Sequence, residues 1–192
     1  MNQLEIRDGN KIRKKRPDLQ IDLSASAKGE IIDQVCEMLD QRELRNYLVE
    51  IGGEIRGRGN GKSGKGWTIA LEDGSEGKTN GLSTVNLLNY SVATSGTYRQ
   101  SKPNQDSAKP ASHLIDPRTG RPVEHNLIAV NVLSPTARDA DALATALMIL
   151  GPEEGMSKAE EMDLIARFCT REGNETRHTH TPTWIRLYPV TD

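Results

Sequence analysis

The chain has 192 residues, which is enough for a single domain (1–192) with a hydrophobic core of its own. Its 25 lysines and arginines nearly balance 27 aspartates and glutamates, which excludes the basic footprint of a nucleic-acid-binding protein. No stretch is apolar enough to insert into a membrane, and the polar N-terminus lacks the apolar core of an export signal. The two cysteines, Cys36 and Cys169, exclude a disulfide framework or a zinc site and leave only one long-range disulfide open.

The first half of the chain predicts one helix and several strands. Residues 1–20 form a short strand or a loop, and the stretch 20–41 changes into a helix. Apolar residues recur in that helix at helical spacing and predict its buried face: Ile31, Val35, Met38 and Leu39. A strand at 46–59, interrupted by two glycines, is expected to pair with the strand at 66–71 as a hairpin across a Gly- and Lys-rich loop.

The second half alternates strands and helices. Strands are predicted at 87–96 and 127–133, with a strand and a turn at 112–123 between them and a mobile loop at 100–110. Thr136 or Ser134 begins a helix that Gly151 and Pro152 end, a further helix covers 153–162, and a strand region around 183–188 closes the chain. This order predicts an α+β fold in which mixed sheets pack against helices.

The stretch "DADALATA" (139–146) places two acids in an otherwise small and apolar part of a predicted helix. At 3.6 residues per turn, Asp141 and Thr145 lie one above the other with Ala144 beside them. Because this helix is apolar almost all round, we expect it to be buried, so that Asp141 needs a partner or a hard cation. The alternative is that Asp141 is an ordinary acid in the first turn and that Thr145 bonds back to the carbonyl of Asp141.

Two glycine- and serine-containing segments suggest phosphate binding. In "DLSASAKG" (22–29), small and hydroxyl residues at a helix start favour an anion, with Lys28 adding charge; the alternative is an ordinary cap by Ser24 or Ser26. The loop "GNGKSGKG" (59–66) ends like a P-loop, but Arg56 stands where the pattern needs its first glycine and no helix follows. We therefore interpret that loop as a solvated connection.

The four histidines offer little on their own. His113 stands at a strand end just before a turn, where an imidazole can act as a general base, although a lone histidine is more often structural. His178 and His180 have a weak metal-ligand spacing in an expected surface loop, and His125 has no recognisable context.

Five segments in order resemble the ApbE family of FAD:protein FMN transferases: "IDLSASAKG", "YLVEIGGEIRGRG", "VATSGTY", "SHLIDPRTGRPVEHNLIAVNVLSPTA" and "DADALATALMILG". The resemblance implies the fold of that family and extends over nearly the whole chain. It also favours the cation over the alternative that Asp141 is an ordinary acid of the first helical turn.

The resemblance implies a set of site residues. Magnesium would be held by Asp141, Thr145, Ala144 and the carbonyl of Ala25. The residues implied to contact FAD are Asp22, Lys28, Ile115, Thr94 and Ser95, those around position 95 through backbone groups. His113 would be the catalytic base.

The implied reaction transfers FMN from FAD to a threonine of an acceptor protein, a flavoprotein of a redox complex, and releases AMP. With water as acceptor the same site would be an FAD pyrophosphatase. Family members carry an export or lipoprotein signal and an N-terminal segment that is not matched here, so we expect part of the flavin pocket to be missing. The alternative function is therefore a truncated, non-catalytic module that binds FAD or metal. The family works in the periplasm or on the outer face of the inner membrane, whereas this chain expressed as written would stay in the cytoplasm.

Overall fold

The fold is taken from a computed structural model that describes residues 3–7, 9, 11–74, 83–97, 112–173 and 175–188. The described residues form four helices, α1 (Ala27–Gln41), α2 (Ala137–Leu150), α3 (Pro152–Glu161) and α4 (Pro182–Leu187). They also form twelve strands: β1 (Leu4–Arg7), β2 (Lys11–Lys14), β3 (Tyr47–Ile51), β4 (Glu54–Arg58), β5 (Trp67–Ala70), β6 (Thr84–Leu87), β7 (Tyr90–Gly96), β8 (Ile115–Asp116), β9 (Arg121–Pro122), β10 (Leu127–Ser134), β11 (Ile165–Glu172) and β12 (Glu175–His180). The loop predicted at 100–110 lies outside the described residues.

Strand β10 runs through the middle of a six-stranded antiparallel sheet with the order β12-β11-β10-β7-β4-β3. All 8 of its residues are buried, the polar Asn131 included, because other elements cover both faces of the sheet at this strand. Helices α2 and α3 pack on one face of the sheet, while the β5–β6 hairpin and α4 pack on the other. This arrangement of helices and sheets confirms the predicted α+β class.

Helix α1 forms where it was predicted, but its buried face is rotated. The core contacts come from Ile32 and Cys36, whereas Ile31 and Met38 are 50% and 55% exposed. The expected stripe through Ile31 and Met38 is therefore wrong at those positions, because β3, β4 and α2 pack against the neighbouring stripe. Ser26 stands at the N-cap position without a side-chain cap hydrogen bond, so the expected serine cap is also wrong.

The hairpin predicted from the first half of the chain has different partners. Strand β3 turns back at Gly52 and Gly53, whose φ angles of 64° and 100° suit a tight turn, and it pairs with β4. Strand β5 pairs instead with β6 in a separate two-stranded sheet. The prediction that 46–59 pairs with 66–71 is thus wrong, because the turn glycines lie inside the first segment.

The end of the chain also differs from the prediction. Strands β11 and β12 were not predicted at all, and the expected strand at 183–188 is helix α4. Thr181 begins that helix by accepting a hydrogen bond from the backbone N–H of Trp184 at 3.3 Å, with Pro182 in the first turn. These start signals prevail over the strand preference of the tryptophan, isoleucine and tyrosine that follow.

The two cysteines are both buried free thiols, which answers the question of a long-range disulfide. Within the described part of the chain, no helix has the length and apolar character to cross a bilayer.

Candidate active site

Helix α1 crosses α2 at Gly29, where the two backbones come so close that no side chain fits between them. A Cβ atom at position 29 would lie 2.3 Å from the carbonyl oxygen of Ala137. Only glycine allows this approach, which brings the first turn of α1 against the first two turns of α2.

The two helices cap each other at this crossing. Asp33 in α1 accepts hydrogen bonds from the backbone N–H groups of Ala137 and Arg138 at 2.9 and 3.0 Å. In return, Asp141 in α2 accepts one from the backbone N–H of Gly29 at 3.1 Å. The first-turn N–H groups of a helix have no partner within the helix, and its dipole favours a carboxylate at that end. Each acid therefore satisfies the free donors of the other helix.

Asp141 is 2% exposed, so the prediction that it is sheltered is confirmed. The second oxygen of its carboxylate, Oδ1, lies 3.4 Å from Nζ of Lys28. The hydroxyl of Thr145, one turn further along α2, pairs with the hydroxyl of Ser95 at 2.9 Å. Four of the predicted site residues thus meet in two pairs beside one helix.

A second buried carboxylate approaches the same lysine. Glu54, the first residue of β4, is 3% exposed, and its Oε1 lies 3.3 Å from Nζ of Lys28. Burial raises the pKa of Glu54, the nearby charge of Asp141 raises it further, and the Lys28 ammonium opposes both effects. The site therefore places one ammonium group between two sheltered acids.

Ala144 and strand β7 lie next to the Asp141–Thr145 face of α2. Ala144 is fully buried, and it packs in the hydrophobic core between α2 and the sheet. Thr94 precedes Ser95 in β7 and points to the other face of the sheet, where its hydroxyl accepts a hydrogen bond from Nδ2 of Asn131 at 2.9 Å. The structure thus directs the side chain of Ser95 towards α2 and that of Thr94 away from it; the predicted backbone contacts with FAD stay a prediction.

The segment before α1 contributes residues that the structure leaves more open. Asp22 is exposed and accepts a hydrogen bond from the backbone N–H of Ser24 at 2.8 Å, which lowers the pKa of Asp22. Ala25 is half-buried in the turn that leads into α1. Their predicted contacts with FAD and with a cation remain predictions.

The predicted base lies near β8, which packs beside α2. His113 is exposed, and Ile115, the first residue of β8, is 48% exposed. Partial desolvation lowers the pKa of His113 and so favours its neutral form. The ring is accessible to a reactant and is in the protonation state that a general base needs near neutrality.

The donor set at Asp141 fits a magnesium ion. One buried carboxylate, the hydroxyl of Thr145 and backbone carbonyls are the hard oxygen ligands that Mg²⁺ prefers, and substrate phosphates commonly complete such a site. Among the described residues, no three His, Cys, Asp or Glu side chains lie close enough together to hold a metal ion by themselves. The prediction for magnesium therefore depends on one carboxylate supplemented by weaker ligands.

The histidines of β12 do not offer a second metal site. The strand contains both His178 and His180, so the expected surface loop is wrong. Burial, together with the cationic Arg167 beside them, lowers the pKa of His180 to about 4. A fixed guanidinium at 3.1 Å from Nε2 of His178 disfavours a further cation there.

Sequence reasoning missed Glu54 and Asp33. The sequence pattern around Glu54 indicates only a strand, and that around Asp33 indicates only an amphipathic helix. Both residues gain their roles from contacts with residues that are far away in the sequence. The local signal for Glu54 is its position directly after the Gly52–Gly53 turn. An acid there begins the returning strand β4 and lies close to the element that packs against the end of the hairpin.

Fold and site together define an α+β protein with a cluster of one cationic and two acidic side chains at the crossing of two mutually capped helices. The model of the ApbE family matches residues 1–168. FAD:protein FMN transferase of Escherichia coli K12 is 35% identical over 171 residues, which are 89% of this chain and 48% of that protein. The enzyme of the same name from Vibrio cholerae is 42% identical over 153 residues, which are 80% of this chain and 45% of the relative.

Solved structures agree. The apo form of the flavinyl transferase ApbE from Pseudomonas stutzeri superposes with a TM-score of 0.86 at 36% identity and covers 99% of this chain and 57% of that one. Flavin transferase ApbE from Vibrio cholerae gives 0.83 at 36% identity, with 96% and 58% covered. The chain therefore belongs to the ApbE family, and the resemblance found in the sequence is confirmed. The chain spans about half the length of the curated relatives that it matches.

Proposed function

We propose that this chain carries the transfer site of an FAD:protein FMN transferase, which moves FMN from FAD to a threonine hydroxyl of an acceptor protein. The observation that carries the proposal is the meeting of Lys28, Asp141 and the Ser95–Thr145 pair at one helix crossing. The family model matches residues 1–168, which include all of these residues, and relatives named FAD:protein FMN transferase are 35% and 42% identical to this chain.

The residues of the chain act mainly by positioning and by charge, as phosphoryl transfer requires. The side chain of Lys28 is 42% exposed, so its ammonium is accessible and can bind the diphosphate of FAD. Asp141, Thr145, Ala144 and the carbonyl of Ala25 would hold magnesium. When bound, that ion supplies a Lewis acid and a template for the diphosphate oxygens.

His113 supplies the proton acceptor. The threonine oxygen of the acceptor forms a bond to the FMN phosphorus, the phosphoanhydride bond to the AMP phosphate breaks, and the threonine proton passes to the imidazole. AMP leaves with the electron pair of the broken bond. If water takes the place of threonine, the products are FMN and AMP, which is the pyrophosphatase reaction. On the resemblance alone, we assign the reaction to the periplasm or the outer face of the inner membrane and the acceptor to a flavoprotein of a redox complex.

Replacing Asp141 with asparagine tests the proposal. We expect magnesium-dependent AMP release from FAD to fall by about 10²- to 10³-fold, because the amide keeps the hydrogen bond with the Gly29 N–H but loses the charge that binds a cation. AMP is measured by chromatography and protein-bound flavin by gel fluorescence. The matched control is Asp139→Asn, an exposed acid one half-turn earlier in α2, which should retain full activity. Equal loss in both variants, or a folded wild-type chain that never releases AMP, would contradict the proposal.

A second candidate is a module that binds FAD or metal without turnover. It is favoured by the fact that Asp141 already has two partners, the Gly29 N–H and Lys28, which suffice to explain a buried acid. Such a module would change the fluorescence of FAD in the presence of magnesium while AMP stays at background.

The pH dependence follows from the state of His113. Because partial desolvation lowers its pKa from the ordinary 6.5, the base is neutral above that lowered value and becomes protonated only at more acidic pH. We expect kcat/KM to be level at neutrality and to fall with acid, with a midpoint below 6.5. Initial rates of AMP release across pH would measure this, and a midpoint above the ordinary value would contradict the assignment.

A further inference from the structure

Glu54 has no part in the function proposed so far, yet its placement is energetically costly. The side chain is 3% exposed, and its Oε2 is buried without a hydrogen-bond partner in the described structure. A buried carboxylate that is only partly satisfied costs folding free energy, so its presence calls for a role. Among the described residues, Glu54 forms an ion pair with Lys28, at 3.3 Å.

The side chain of Lys28 lies against the Gly52–Gly53 turn and the Glu54 carboxylate. Its Cδ would lie only 3.4 Å from a Cβ atom built at Gly52, so the aliphatic stem lies along the turn that precedes Glu54. The ammonium is shared almost equally, 3.3 Å from Glu54 and 3.4 Å from Asp141. Neither contact is short, as expected for one cation between two acids.

Binding of a divalent cation would affect Lys28, Asp141 and Glu54 differently. A divalent cation at Asp141 would repel the Lys28 ammonium, and Asp141 would then no longer be available to hold it. Among the described residues, Glu54 is the other carboxylate that is paired with Lys28. Without it, the lysine chain would have no fixed position and would lose the side-chain order that a diphosphate contact needs.

We propose that Glu54 is a positioning residue that retains the Lys28 ammonium beside α2 when a divalent cation binds Asp141, so that the lysine is ready for the diphosphate of FAD. This inference rests on the proposed function and adds a residue to its substrate site. It predicts that removing the Glu54 carboxylate weakens the binding of a diphosphate. A carboxylate that acted only by its charge would repel a diphosphate, so its removal would strengthen binding, whereas loss of a positioning residue weakens it.

The test replaces Glu54 with glutamine and measures binding of FAD and of inorganic pyrophosphate by titration calorimetry with magnesium present. We expect both affinities to weaken about tenfold, the value of one lost charge-assisted hydrogen bond, and KM for FAD to rise more than kcat falls. In a Lys28→Met background the same replacement should cause no further weakening. The matched control is Glu50→Gln, an exposed acid of the same hairpin that accepts a hydrogen bond from the Gly53 N–H at 2.8 Å and should bind like wild type.

Thermal unfolding by circular dichroism establishes that each variant is folded. Should Glu54→Gln not fold, Glu54→Asp replaces it, since the shorter acid keeps the charge but withdraws it from Lys28 and is expected to weaken binding as well. Unchanged or tighter binding in the folded variant overturns the inference, and so does a wild-type chain that binds neither probe. Binding that weakens as expected while no AMP is released supports the role of Glu54 and contradicts only the proposed transfer.

Discussion

Replacing His113 with alanine is expected to lower kcat for FMN transfer by about 10²- to 10⁴-fold, the usual contribution of a positioned general base. The ring is exposed near β8, beside the helix that carries Asp141, and its lowered pKa keeps it neutral near pH 7. Affinity for FAD should change little, because proton transfer matters in the reaction and not in the bound ground state. Rates of AMP release and the dissociation constant of FAD, measured on the same sample, separate the two effects.

Added imidazole provides the control for this variant. If His113 acts by accepting a proton, free imidazole should restore part of the activity of His113→Ala, and the acid limb of the pH profile should be absent without it. Activity that falls together with FAD affinity and is not restored by imidazole would assign His113 a structural role instead.

Replacing Gly29 with alanine should destabilise the fold by on the order of 3 kcal/mol, at the upper end of ordinary overpacking. The added Cβ would meet the carbonyl oxygen and carbon of Ala137 at 2.3 and 2.5 Å, and neither backbone atom can move aside. The helices would have to separate, which would also stretch the hydrogen bonds that Asp141 and Asp33 make to the opposite helix.

The sign of this effect is informative. Helix propensity alone predicts that alanine in place of a helical glycine stabilises the protein by about 1 kcal/mol. Urea unfolding would measure the free energy, with Glu37→Ala, a change at an exposed position of the same helix, expected to stay within about 0.5 kcal/mol of wild type. A more stable Gly29→Ala protein would mean that α1 and α2 do not approach as described.

Much of the fold was predictable because its signals are local. The β-branched and apolar residues of β10 predicted a strand at 127–133, and Thr136 and Gly151 marked the two ends of α2. The same local rule failed at α4, where Thr181 and Pro182 start a helix in a stretch that otherwise favours a strand. Strand β5 was predicted but its partner was not, since pairing depends on residues far away in the chain.

The candidate site also has features that local sequence predicts and features that depend on contacts between distant segments. Helical periodicity alone aligned Asp141 with Thr145 and separated it from Asp139, because residues four apart share a helix face. The sequence could not reveal that Asp141 receives the N–H of Gly29 across 112 positions, or that Lys28 lies between two buried acids. Spacing along a helix determines which side chains share a face, but only the packing of α1, α2 and β4 decides which charges meet, since electrostatic partners are chosen by distance in space.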